Sequence, residues 1–334
     1  MNTNAKFPGR LKKVLIWTVG IYAFYAALIL LIGPEQFPLM PYGIVLGAGL
    51  AALIVYALHL WRNCQKGQYV GGTGFLFTLN HYEFLIRQLV KRDFKTKYKR
   101  SVLGIFWSFL NPLMLMAVQY VVFSYLMASQ LRGGGVPFYM VYLLAGIIMF
   151  SGFQDCANQA MHSITGNASL ITKVYVPKYI YPSSKVFSAG INTLLSMIPL
   201  LVVTLLNGVW PALSWLLIPV ALLFLLIFTV GMGFFLSSLV VFFRDIEFLW
   251  GVFTSLWMYA TPIIYPISIL PPWMQKLEMV NPMYHLITFM RTILIDRMVP
   301  APGQFLACII CGVLMMLLGT VVFHKTEDKF ILYL

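Results

Sequence analysis

Residues 186–243 contain no Asp, Glu, Lys, Arg or His. A run that long without charge belongs in lipid. It is also too long for one pass, because a hydrocarbon core about 30 Å thick takes about 20 residues of helix. Asn207-Gly208-Val209-Trp210-Pro211 supplies the turn. The run therefore predicts two spans, over about 186–206 and 214–242. Inside lipid the backbone has no water to bond, so the fold that follows is helical. Composition extends this to the whole chain of 334 residues: 60% is hydrophobic and 10% charged, with a mean hydropathy of +0.84. A soluble domain carries about 25% charged residues. The net charge of +13 does not point to nucleic acid, because the bases sit between apolar segments, where loops face one side of a membrane.

The same reading gives an all-α, polytopic membrane protein of about eight transmembrane helices. Residues 14–32 form the first span, too long for a signal-peptide core and without a small-residue cleavage site. Residues 41–60 form the second, and glycines 67, 71, 72 and 74 mark a linker. Spans three and four are 102–127 and 138–161, with Gly133-Gly134-Gly135 between them. The seventh runs from about 248 to 262, and the eighth over about 304–323. The segment 262–302 is rich in proline and has charges, and its apolar run is too short to cross. It predicts two short re-entrant helices on the extracytoplasmic side, about 272–280 and 282–296, the second with Asn281 as cap and Pro282 at its first position. With eight spans, 19 of the 23 Lys and Arg fall on one side and 4 on the other, which sets both termini in the cytosol. Three regions result: a two-span hairpin and linker over 1–79, an interface helix and basic collar over 80–100, and a six-span domain over 101–334.

The interface helix is amphipathic. Tyr82, Leu85, Ile86 and Leu89 share one face, and Arg87, Lys91 and Lys95 lie opposite. Phe84 stands off the stripe on the polar side. The collar holds Lys91, Arg92, Lys95, Lys97, Lys99 and Arg100 against one acid, Asp93. Charge then stops until Arg132. This is the pattern of a surface helix, a phosphate-level collar and a helix that enters the bilayer.

Motifs for catalysis are missing. The chain has no G-x-x-x-x-G-K-[ST], so it binds no ATP through a P-loop, and it has neither H-E-x-x-H nor G-x-S-x-G. Gly71-Gly72-Thr73-Gly74 lacks the lysine of a phosphate loop. Cys308 and Cys311 form a C-x-x-C without the two further ligands that zinc needs, and the histidines are scattered. One acid, Asp155, falls inside the fourth span, where charge is costly. With Ser151, Gln159 and His162 it makes one polar stripe. The stripe reads either as a hydrated lumen or gate, or as hydrogen bonding within the bundle. Pairing of Asp155 with a collar base is the more plausible role for its charge. Aromatic residues recur in spans three, four and seven, among them Phe106, Tyr120, Phe123, Tyr142, Phe150, Trp257 and Tyr259. Some fit interfacial belts. Others are too deep for a belt, and aromatic faces can stack on a sliding sugar chain.

Four stretches carry a resemblance: LVKRDFKTKYKRSVLGIFWSFLNPLMLM at 89–116, NASLITKVYVPKYIYPSSKV at 167–186, FFRDIEFLW at 242–250, and TPIIYP at 261–266 followed by NPMYHLITFMRTIL at 281–294. From about Tyr82 onward the chain resembles the membrane subunit of bacterial ABC exporters of cell-surface polysaccharides, the O-antigen, capsule and teichoic acid permeases. The resemblance implies a homodimer in the bacterial plasma membrane, working with two copies of a P-loop ATPase that holds the ATP and Mg; this chain itself holds no cofactor. It implies that the interface helix, with Phe84, Arg87 and Lys91, and a short coupling helix over 168–174, with Asn167, Ser169, Leu170, Lys173 and Lys178, meet that ATPase. Pro177 and Pro182 would end the coupling helix sharply. The re-entrant helices resemble the family's gate, where Trp273, His285 and Arg291 would act with Asp155. The expected cargo is a lipid-diphosphate-linked glycan, drawn in at Lys97, Lys99 and Arg100 and passed along the aromatics. For those three bases the alternative is anchoring to anionic membrane lipid. The hairpin over 1–79 is an addition that the family core does not need. Competing readings are an exporter of a drug or simple lipid, a membrane-embedded glycosyl or acyl transferase using Asp155 or His162, and an assembly scaffold.

Overall fold

The computed structural model describes residues 3–32, 54, 55, 57–59, 62, 82–99, 102–126, 138–173 and 176–334. The expected second span, the glycine linker, the triple-glycine turn and Arg100 lie largely or wholly outside the described residues. The chain divides into two compact units, residues 1–88 and 89–334. Every regular element among the described residues is helical. Among the described residues, six helices are long and apolar enough to cross a membrane.

The first unit contains α1, Thr3–Ile32. The boundary falls within α2, Glu83–Tyr98. That helix starts with Glu83 in its first turn and ends with Lys95 and Lys97 in its last, the order that complements the helix dipole. Glu83 also pairs with Arg87 one turn on. Leu89 on the apolar stripe is buried, whereas Phe84 and Arg87 are exposed.

In the second unit, Gly104 takes a positive φ of 51°, a backbone that suits glycine, and opens a 3-10 turn into α3, Trp107–Leu126. α4, Tyr139–Met161, is the centre of the unit and is buried over most of its length. A 3-10 turn and the four-residue α5, Ala168–Ile171, follow. α6 is Ile180–Leu206 and α7 is Ile218–Phe242. α8, Ile246–Ala260, leads into an extended stretch and two short helices, α9, Pro272–Glu278, and α10, Pro282–Arg291. α11 is Pro302–Thr326, and a last short helix, α12, is Phe330–Tyr333.

The helices cross alternately. Tyr139 at the start of α4 meets Ile264 beyond the end of α8, and His162 beyond the end of α4 meets Glu247 at the start of α8. Ser214 ahead of α7 bonds to Ile293, and Phe242 at its end meets Phe330. The unit thus has a near end, with α5 and the tail, and a far end, with α9 and α10. α7 and α11 pack backbone to backbone: a Cβ on Gly319 would stand 2.0 Å from the Gly231 carbonyl oxygen. Glycine at such a crossing lets two helices close in without side chains between them.

The start of α6 and the end of the coupling helix differ from expectation. α6 begins at Ile180, ahead of the uncharged run, because Lys185 enters the helix already paired to Asp93. Pro182 therefore lies in the first turn of α6, where a missing N–H costs nothing, and does not end the coupling helix. The coupling helix itself is only Ala168–Ile171. α8 has 15 residues, or about 22 Å of helix, short of a full hydrocarbon core. Two short helices stand where the re-entrant pair is expected, ending at Glu278 and Arg291, and 292–296 is wound as a π-turn.

Candidate functional site

At the near end, α2 brings Lys97 against α4, Arg92 against the α5 turn and Asp93 against α6. Asp93 lies between two cations, 2.9 Å from Arg92 and 3.0 Å from Lys185 of α6. Arg92 also donates to Asn167 Oδ1 at 3.2 Å, and Asn167 in turn donates to the Ser163 carbonyl at 2.7 Å. One charged node therefore ties the surface helix, the α5 turn and a spanning helix. Lys97, in the last turn of α2, pairs with Asp155 of α4 at 3.2 Å. Asp155 is half exposed and not deep in the bundle, six residues before the end of α4, so its charge needs less compensation than its place in an apolar sequence suggests. His162 stands 3.6 Å from Glu247. Lys178 donates to the Glu327 carbonyl and lies 5.8 Å from the Phe330 ring, so the tail covers it in part.

At the far end, residues 261–265 form a buried strap with no helix to satisfy it. Side chains do that work. Arg291 donates to the Pro262 and Ile263 carbonyls at 2.8 Å each and to the Tyr142 carbonyl at 3.1 Å. Its guanidinium stacks on the Tyr142 ring, 3.3 Å from the centroid. Tyr139 donates to Ile264 O at 2.8 Å and Tyr142 to Tyr265 O at 3.0 Å. Four successive carbonyls are thus held, as buried irregular backbone requires. Gly146 leaves the space: a Cβ there would sit 2.8 Å from Arg291 Nη2.

Asn281 ties the strap to the short helices. It accepts from Met283 N at 3.1 Å as the cap of α10 and from Trp257 Nε1 of α8 at 2.9 Å. It donates to Thr261 Oγ1 at 2.9 Å and Glu278 Oε2 at 2.8 Å. Burial raises the Glu278 carboxyl above its usual value, and the bond from Asn281 offsets part of the rise.

A family profile described as "ABC-2 type transporter" matches residues 84–295, from α2 to the π-turn. The chain belongs to the ABC-2 type transporter family. An O-antigen export system permease protein RfbA of Myxococcus xanthus is 28% identical over 254 residues, spanning 75% of this chain and 96% of that protein. An RfbA of Klebsiella pneumoniae is 28% identical over 256 residues, spanning 76% and 96%. A capsule polysaccharide export inner-membrane protein, CtrC of Neisseria meningitidis serogroup B, is 24% identical over 222 residues, spanning 64% and 80%.

In this ABC-2 transporter the sequence-derived residues fall into distinct sets. Phe84, Arg87, Lys91, Ser169 and Lys173 are exposed, Leu170 is half-buried, and Asn167 is buried as part of the charged node. Lys97 and Lys99 are on the surface, and only Lys97 contacts Asp155. Phe106 and Tyr259 are exposed; Tyr120, Phe123 and Trp257 are half-buried. Phe150 is 1% exposed, inside an aromatic cluster with Phe153 and Trp257. It packs the α4–α8 contact and offers no face within this chain to a passing chain of sugars. Tyr142 and Arg291 brace the strap. Trp273 is exposed, and His285 Nε2 lies 2.8 Å from the Met279 carbonyl oxygen. Sequence reasoning left out the Arg92–Asp93–Lys185 node and Tyr139. The available signal was Asp93 itself, the one acid in a basic run.

Proposed function

We propose that this chain is the membrane subunit of an ATP-driven exporter of a surface polysaccharide of the O-antigen or capsule kind. It works as a homodimer with two copies of a separate ATPase that supplies ATP and Mg. The cargo is a lipid-diphosphate-linked glycan, and the membrane is the bacterial inner membrane with both termini in the cytosol. What carries the reading is the similarity, over nearly the full length of two RfbA proteins, to chains named as O-antigen export permeases. The geometry is compatible with it. Ser169 and Lys173 form exposed ground for an ATPase at α5, and the node at Asp93 joins the α5 turn to α6. Energy put in at α5 then has a route to α6 through the node. The strap and α9–α10 form the far-side gate.

The test is reconstitution. The chain and its ATPase, in sealed vesicles loaded with ATP and Mg on the ATPase side, should move lipid-linked glycan to the opposite leaflet, read by a lectin that cannot cross. Asp93→Asn should keep the complex and its ATP hydrolysis while export falls. Hydrolysis that ignores the glycan, with no lectin signal, would sink the proposal.

A further inference from the structure

The Lys97–Asp155 pair stands at the mouth of a recess of about 230 Å³. Both ions line it, and their side chains are 39% and 57% exposed. The remaining lining mixes hydroxyl and amide side chains, among them Asn111, Ser151, Thr193 and Ser196, with the apolar surface of Trp107, Pro112 and Ile148. Ser196 already donates to backbone carbonyls, so it offers sugar hydroxyls an acceptor, and the Asn111 amide offers both a donor and an acceptor. An ion pair this exposed is weak and open to exchange. A phosphate competes well for its lysine, because charge-assisted bonds to phosphate oxygens are stronger than ordinary ones.

Resting on the reading above and going deeper into it, we propose that the pair is an exchange latch for a phosphate-bearing saccharide. The phosphate takes Lys97 from Asp155. The released carboxylate then turns to the sugar hydroxyls in the recess. Asp155 is thus the resting competitor for the site that Lys97 forms, and afterwards a ligand for the sugar. No bond is made or broken in the exchange. The recess and both ions lie within the second unit.

The latch makes two neighbouring substitutions act in opposite directions. The whole chain in nanodiscs of neutral lipid is titrated with a fluorescent short prenyl diphosphate, and separately with the same diphosphate bearing N-acetylglucosamine. Lys97→Gln should weaken binding of the sugar-free probe about tenfold, the value of one charge-assisted contact. Asp155→Asn should tighten it about two- to fivefold, the strength of the lost competitor. Lys97→Arg should retain binding, and unchanged melting of all three excludes misfolding. Wild type should prefer the sugar-bearing probe. If both charge-removing variants move affinity the same way, or neither moves it, the pair is only a structural tie and the latch is wrong. If phosphatidylglycerol displaces either probe at equal concentration and the sugar adds nothing, the anion is a lipid headgroup and the saccharide assignment is wrong. Wild-type export alongside such a result would sink the latch and leave the transport reading standing.

Discussion

Arg291 is a cation among apolar neighbours, held there by oxygens. Its three carbonyl partners come from two segments, and its face is covered by Tyr142. Replacing it with Met leaves buried acceptors bare, at a cost of about 1–3 kcal/mol for each one not rescued. Arg291→Met should therefore lower the melting temperature sharply, and Arg291→Lys should recover only part, since an ammonium has no planar fork. Glu278 makes a prediction about pH. Its carboxyl is raised from 4.5 by burial, so the folded chain holds the proton more tightly than the unfolded one does. Its contribution to stability is then highest below 4.5 and declines as pH climbs through the raised value. Glu278→Gln should flatten that part of the melting-temperature profile. A decline that survives the substitution would assign it to another group.

Elements show where sequence patterns suffice and where they stop. The span over α7 and the cap of α10 were legible because each depends on neighbours in the chain: a run of apolar residues, or Asn281 followed by Pro282. The start of α6 was not, since Lys185 reads as loop until Asp93, from another helix, is placed beside it. The stripe through Asp155 was legible as a face of α4, and its pairing with a collar base was anticipated, but which base was a matter of tertiary geometry. Aromatic periodicity could not separate Phe150, which packs, from Tyr259, which is exposed. The α7–α11 crossing was invisible for the same reason, because a glycine announces a close approach without naming the partner. Gly319→Ala should force these helices apart and cost about 1–3 kcal/mol, as overpacking does. Gly312→Ala is the comparison: its Cβ would meet Ile227 at an ordinary 3.4 Å, so little change in melting is expected.

At the scale of the molecule, the tail closes the near end. Phe330 is fully buried against Phe242 and Phe323, and Lys178 reaches both its ring and the Glu327 carbonyl. Removing residues 327–334 would uncover Phe323 and Phe242 and lose the burial of a phenylalanine, about 1.5–3 kcal/mol. The truncated chain should melt earlier and be cut faster by trypsin at Lys178, whereas cutting at the already exposed Lys173 should change little. The other end has a consequence of a different sort. α8 supplies only 15 residues of helical wall before the strap takes over. For the exporter proposed above, a polymer passing this wall would meet a diaphragm rather than a pipe. Drag arises where the polymer touches the rim, so it would depend on the depth of that rim and not on how much glycan has already gone through.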